Sequence, residues 1–303
     1  MTFAASQSTP TASLSSYRTA SFNQIQRQLV VFNQRRLRPG PQQADWRDAL
    51  RQEASFRLLE GDFIEEERRH IRHLATRAPS SGDAFVEWFD ALREDGPGQN
   101  DDLFPWLAEQ ATEAQFVWFL SQEVAGEAGF DDLVAMAQVK LTSRAKLEMA
   151  RNYWDEMGRG NEGGMHGPML ARLADHFSIA PSPDDIVAES HAMANLMTGL
   201  AANRRYAFEA IGALGVIELT APTRAIFVER GLRRLGVPAA ARQYFAVHSI
   251  LDVQHSKAWN HEVLHSLVVE DSRCAQWLAE GALMRLNAGL RCFQCYRKEL
   301  WRN

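Results

Sequence analysis

The sequence predicts an all-α fold, and three observations carry that expectation. Beyond about residue 20, apolar side chains recur at helical spacing nearly everywhere. No run of alternating β-branched residues reads as a strand. Proline and glycine clusters then punctuate the chain where helices would end.

The elements follow in order. Residues 1–19, MTFAASQSTPTASLSSYRT, are rich in Ser and Thr and read as a flexible tail. A helix is expected over about 22–37, closed by Pro39-Gly40-Pro41, and a long charged one over about 45–77, closed by Pro79. A third covers about 83–95, and Gly96-Pro97-Gly98-Gln99-Asn100 is the clearest linker. Further helices are expected near 102–125, 131–157, 166–178, 183–203, 205–219, 222–235, 238–266 and 270–300. Their breaks fall at Gly126 and Gly129, the glycine-rich run 158–164, Pro181 and Pro183, Pro222, and Gly236-Val237-Pro238. No repeat of fixed period is present. The chain reads as one all-α domain over 20–303, in which an N-terminal helical extension (20–100) adjoins a core (101–303).

Composition narrows the class. At 303 residues and 46% hydrophobic, the chain can bury roughly 75% of the surface its unfolded form exposes. A net charge of -5 argues against a nucleic-acid surface and gives no attraction to anionic lipid. No stretch offers the ~18 consecutive apolar residues of a membrane span. The first residues lack the basic start and apolar centre of a secretory signal. Cys274, Cys292 and Cys295 are too few for a disulfide framework and fit a reducing compartment. The expectation is a cytoplasmic protein whose partner is a small molecule.

The sharpest chemical signal is His248-x3-Asp252-x2-His255, in AVHSILDVQHSKAW. On a helix, steps of four and three residues put all three on one narrow face. Two imidazoles and a carboxylate suit iron, manganese or zinc, although a hydrogen-bonded helix face reads the same way in isolation. Carboxylates in apolar contexts on other helices strengthen the metal reading. Glu218 shares a face with Ile211, Leu214 and Gly215, and Glu123 shares one with Phe116, Phe119 and Leu120. Glu156 ends the helix LEMARNYWDEMG. Each is costly to bury ionised without a compensating cation or hydrogen bond.

Between Glu156 and His166 runs Gly158-Arg159-Gly160-Asn161-Glu162-Gly163-Gly164-Met165. It matches G-x-G-x-x-G literally, but a dinucleotide fingerprint needs a preceding strand, and here a helix precedes. The glycines instead allow a sharp turn that returns His166 toward Glu156. Other matches are set aside. Glu67-x2-His70 lies in a charge run expected to be solvated, and Glu262 is 14 residues beyond His248, roughly 21 Å along a helix. Cys292-x2-Cys295 reads as packed thiols, and Arg204-Arg205 as a surface pair.

These motifs resemble the haem-oxygenase-like di-iron oxidases and oxygenases. The resemblance covers about residues 101–270 and is carried by FLSQEVAGEAGFDDLVAMAQ, MARNYWDEMGRGNEGGMH, the Glu218 helix and HSILDVQHSKAW. It implies a haem-oxygenase-like helical bundle holding two Fe(II)/Fe(III) ions, with O2 as co-substrate. One iron would take Glu156, His166 and His248, and the second Glu218, Asp252 and His255. Glu123 would be the additional carboxylate, with Glu127 one turn on as a substitute. Four carboxylates against two Fe(II) give a near-neutral cluster, which a low-dielectric core tolerates. The ten-residue step from Glu156 to His166 is similar to that of N-oxygenating members that form N-nitrosoureas. It implies N-oxygenation of an amine, guanidine or amino-acid-derived substrate in specialised metabolism. Oxidative C–C cleavage, decarboxylation or desaturation is the alternative chemistry, and a metal-free helical binding module the alternative class. An external electron donor and a homodimer are further implications.

Overall fold

A computed structural model describes residues 21–40, 45–127 and 129–301. The tail expected over 1–19 lies outside them. The described residues are helical, without a strand, apart from one isolated bridge between Met157 and Met165. The all-α expectation holds for the described residues.

The N-terminal extension comprises α1 (Phe22–Leu37), α2 (Trp46–Ala75) and α3 (Gly82–Asp95). Ser21 starts α1 with a capping box to Gln24, and Asp45 caps α2 by accepting from two backbone amides. Asn195 donates to the Gln26 carbonyl and accepts from Asn33, both at 2.9 Å, which fixes α1 on α9 (Ala188–Ala202). The charge run on α2 is not the solvated face expected of it. Glu67 is buried and accepts from Arg291 at 2.6 Å, while Arg68 pairs with Glu65, Glu209 and Glu280. His70 alone of that motif is exposed. A periodic run of charges cannot announce burial when its partners lie on distant helices.

Three other expectations are corrected. The helix expected over 102–125 is two, α4 (Leu103–Glu109) and α5 (Glu113–Gly126), because Thr112 opens a new helix with a capping box to Gln115. The one expected over 131–157 is also two, α6 (Phe130–Ala137) and α7 (Ser143–Glu156), separated near Lys140 at φ 61°. Conversely, the break expected at Pro222 is absent, and Ala207–Arg234 is one helix, α10. Proline removes one backbone hydrogen bond. Burial of both halves of α10 outweighs that loss, since Leu214, Val216 and Leu219 precede Pro222 in the core and Ala225, Val228 and Leu232 follow it.

The remaining elements are α8 (His166–His176), α11 (Gln243–Ala258), a π-helical turn (Trp259–Leu264), α12 (His265–Glu270) and α13 (Cys274–Leu300). Helix α10 is the axis of the bundle, lying between α11 and α13. A Cβ on Gly212 would sit 1.9 Å from the Leu278 carbonyl oxygen, and one on Gly281 would sit 1.8 Å from that of Glu209. The two backbones therefore touch where α10 crosses α13, which only glycine permits. The segment Arg204–Arg234 is long and apolar enough to cross a membrane by composition, yet 67% of its most apolar window is buried inside the fold.

Candidate metal centre

Four helices bring their polar residues to one buried point. Helix α7 ends at Glu156, and the glycine-rich segment turns the chain back so that α8 begins at His166. Gly158 (φ 61°), Arg159 (φ 52°) and Gly160 (φ 84°) adopt left-handed backbone here. A Cβ on Gly158 would lie 2.6 Å from the Gly164 carbonyl carbon, so the turn is closed by backbone contact. The Met157–Met165 bridge pins its ends. His166 Nδ1 consequently lies 2.8 Å from Glu156 Oε2.

Helices α10 and α11 contribute the rest. Gly215, three residues before Glu218, faces Trp259, four residues after His255; a Cβ there would lie 2.6 Å from the indole Nε1. This close approach brings Glu218 Oε2 to 3.4 Å from His255 Nδ1. The π-helical turn begins at Trp259, and such turns accumulate at functional sites. On α11, His248, Asp252 and His255 share the face turned inward, and all three are buried.

The cluster divides around Glu156. One group is Glu156, His166 and His248; the other is Glu156, Asp252 and His255; in each, the ligand atoms lie within 4.8 Å of one another. Glu156 Oε2 is 3.6 Å from His248 Nε2, whereas Oε1 is 3.6 Å from His255 Nδ1. Glu156 thus stands between the two groups.

Neighbours fix the ring orientations. His248 Nδ1 donates to the Tyr244 carbonyl at 2.6 Å, because a carbonyl can only accept, and this leaves Nε2 free toward Glu156. His255 Nε2 donates to Asp155 at 3.1 Å, leaving Nδ1 facing the carboxylates. Asn152 donates to Glu218 Oε1 at 2.6 Å and leaves Oε2 for the site. The Tyr244 hydroxyl lies 3.2 Å from His166 Nε2, and Phe130 stacks on the same ring.

The electrostatics fit a site for a cation. Burial, then the charges of Glu218 and Glu156, push the Asp252 carboxyl well above its usual range. Burial opposes ionisation of Glu156 too, yet hydrogen bonds and charge from His166 and His248 hold it low. Burial depresses His255, but Glu218 and Asp155 outweigh it and raise the imidazole to about 9. Two buried polar atoms, Asp252 Oδ1 and His255 Nδ1, have no hydrogen-bond partner. Orphaned ligand atoms among clustered carboxylates are what a bound cation would satisfy.

The additional carboxylates separate. Glu127 Oε2 lies 3.7 Å from His166 Nε2. Glu123, one turn earlier on α5, lines the same cavity but belongs to neither group, and its charged neighbours are Arg224, Arg285 and Glu127. The cavity is about 130 Å³, with apolar walls that include Phe104, Leu170, Met193 and Phe245.

Residues 117–290 match the family of iron-containing redox enzymes. The chain belongs to that family. No curated protein matches it significantly. As an iron-containing redox enzyme it has an oxidoreductase function, and its imidazole and carboxylate donors suit iron. Sequence reasoning missed Asp155, Asn152 and Tyr244, which orient the iron-facing groups. Only the spacing of Tyr244, one turn before His248, and of Asn152, one turn before Glu156, carried a signal.

Proposed function

We propose that this chain is an O2-dependent non-haem di-iron oxygenase. The position of Glu156 between two histidine-containing groups is the observation that carries this reading. One iron would be held by Glu156, His166 and His248, with Glu127 beside it. The other would be held by Glu218, Asp252 and His255, with Glu156 shared between them. As the additional carboxylate we favour Glu127 over Glu123, because Glu127 is the one within reach of His166. Glu127, Glu156, Glu218 and Asp252 balance two Fe(II). When bound, the irons supply the activation of dioxygen.

The protein's own residues position and protect that chemistry. Asp155, the Tyr244 carbonyl and Asn152 hold His255, His248 and Glu218 in one orientation each. Phe130, Leu133, Leu170 and Phe245 give the cavity apolar walls, and a low local dielectric strengthens the electrostatic contacts beside them. The substrate class we favour is an amine, guanidine or amino-acid derivative that undergoes N-oxygenation. The ten-residue step between Glu156 and His166, closed by the glycine turn, supports that choice.

Anaerobic loading with Fe(II), followed by exposure to O2, tests the reading. The protein should consume O2 in proportion to bound iron and develop a transient visible colour. Uptake no faster than that of free Fe(II) in buffer would leave the metal-free binding module as the better account. Incubation with small amines and amino acids, read by mass spectrometry, then separates N-hydroxylated products from cleavage or desaturation products.

A further inference from the structure

The lining of the cavity carries two guanidiniums that belong to neither metal-facing group. Arg224 comes from α10, six residues beyond Glu218, and Arg285 comes from the middle of α13. Six residues are roughly 9 Å of helix, so their backbone attachment is displaced from the iron-facing carboxylates along the cavity. The hydrogen bonds around them are few. Arg224 donates to Thr220 Oγ1 on its own helix at 3.2 Å, and Arg285 Nε has no partner. Among the described residues, neither forms an ion pair within 4.0 Å. Arg285 Nη1 lies over Gly289, where a Cβ would approach it to 3.1 Å, so the glycine makes room for the guanidinium.

The charges in this part of the cavity are near one another without being paired. Glu123 is the carboxylate whose charge acts on both arginines. Glu127 is the next carboxylate to act on Arg285, so two guanidiniums share the charge of Glu123 and Glu127, and neither is fixed to a carboxylate by a direct ion pair. Burial, together with the mutual repulsion of the pair, pulls Arg224 down to about 10. A half-buried guanidinium whose donors are not all used inside a cavity is arranged to receive an anion. Guanidinium geometry matches a carboxylate through paired N–H donors. The same cavity is also lined by the apolar Met193, Met197, Ile217 and Val228.

We infer that Arg224 and Arg285 form a subsite for the carboxylate of the substrate, which is a small amino-acid-like or ω-functional carboxylic acid. Glu123 is the resident counter-ion that the substrate carboxylate competes with for the pair. The volume of about 130 Å³ suits a small molecule, being close to the roughly 150 Å³ of an engineered cavity that admits benzene. A carboxylate held at the arginines directs the other end of such a molecule toward the histidines. This assignment rests on the oxygenase reading for its role in turnover, but not for binding.

Binding is therefore measured without turnover, on the full-length chain, both metal-free and after anaerobic Fe(II) loading. The probes are acetate, butanoate and hexanoate, each paired with its neutral amide, titrated by calorimetry. At least one carboxylate should bind about tenfold or more tightly than its amide in both preparations. Arg224→Met and Arg285→Met should each abolish that preference, with circular dichroism confirming helicity. Glu123→Gln is nearly isosteric and removes the competitor, so it should tighten carboxylate binding about threefold or more. A gain of affinity cannot come from misfolding. Equal binding of acids and amides by the wild type would overturn the assignment, as would an unchanged preference in both folded arginine variants or weaker binding by Glu123→Gln. Carboxylate preference in a protein that neither retains iron nor consumes O2 would instead uphold the subsite and remove the oxygenase reading.

Discussion

Asp155 accepts a hydrogen bond from His255 Nε2 at 3.1 Å, on the side of the ring opposite the nitrogen that faces Glu156 and Glu218. Asp155 is itself held by Arg159, whose Nε donates to it at 2.6 Å from within the glycine-rich turn. The turn that delivers His166 therefore also steadies His255, through a carboxylate adjacent to Glu156.

Removing that support should weaken the metal without unfolding the protein. Asp155→Ala is expected to lower iron affinity about 10- to 100-fold, the usual range for a carboxylate behind a metal-facing imidazole. Asp155→Asn keeps an accepting oxygen and should lose less. Competition with a chelator of known affinity measures both, and equal affinity in Asp155→Ala and wild type would show that the hydrogen bond is incidental.

The place of Glu156 between two groups predicts unequal consequences for neighbouring variants. Glu156→Ala should abolish binding of both irons. His166→Ala should leave about one iron per chain, because the group of Glu218, Asp252 and His255 does not include it. Metal analysis after desalting decides. Loss of both irons in His166→Ala would contradict the division.

The helix-borne part of this site was legible in the sequence, because four- and three-residue spacing is a property of one helix. His248, Asp252 and His255 share a buried face of α11. The return of His166 to Glu156 was legible as well, since left-handed glycines announce a turn. What could not be read is contact between helices. Asp155 and Asn152 look like ordinary polar residues until α10 and α11 are placed beside them. Arg224 and Arg285 lie 61 residues apart, and nothing local marks them as neighbours. Pro222 misled for the same reason, since its local rule was overridden by packing on both sides.

Glycine at position 215 sets how closely α10 approaches the turn at Trp259. A Cβ at 2.6 Å from the indole nitrogen cannot be accommodated without movement of a fully buried ring. Gly215→Ala should cost about 1–3 kcal/mol in urea unfolding and also weaken iron binding. Unchanged stability and unchanged iron affinity would show that the ring has room to shift.

Away from the metal, the cluster on α2 predicts a pH dependence of stability. Arg68 is shared by Glu65, Glu209 and Glu280, and burial raises the Glu209 carboxyl to about 7. A carboxyl raised in the fold holds its proton more tightly there than in the unfolded chain. It favours the folded state fully below the ordinary carboxyl value of 4.5, and that contribution drains away as pH rises toward about 7. The loss is on the order of 3 kcal/mol, at about 1.4 kcal/mol per unit. Glu209→Gln cannot ionise, so its stability relative to wild type should rise between pH 5 and pH 8. Denaturation curves at several pH values check this, and a constant difference would refute it.

Anomalous scattering at the iron absorption edge, from crystals grown after anaerobic Fe(II) loading, addresses the central claim most directly. Two iron peaks should flank the Glu156 carboxylate, one against His166 and His248, the other against Asp252 and His255. A single peak, or iron bound away from Glu156, would contradict a di-iron centre built from these residues.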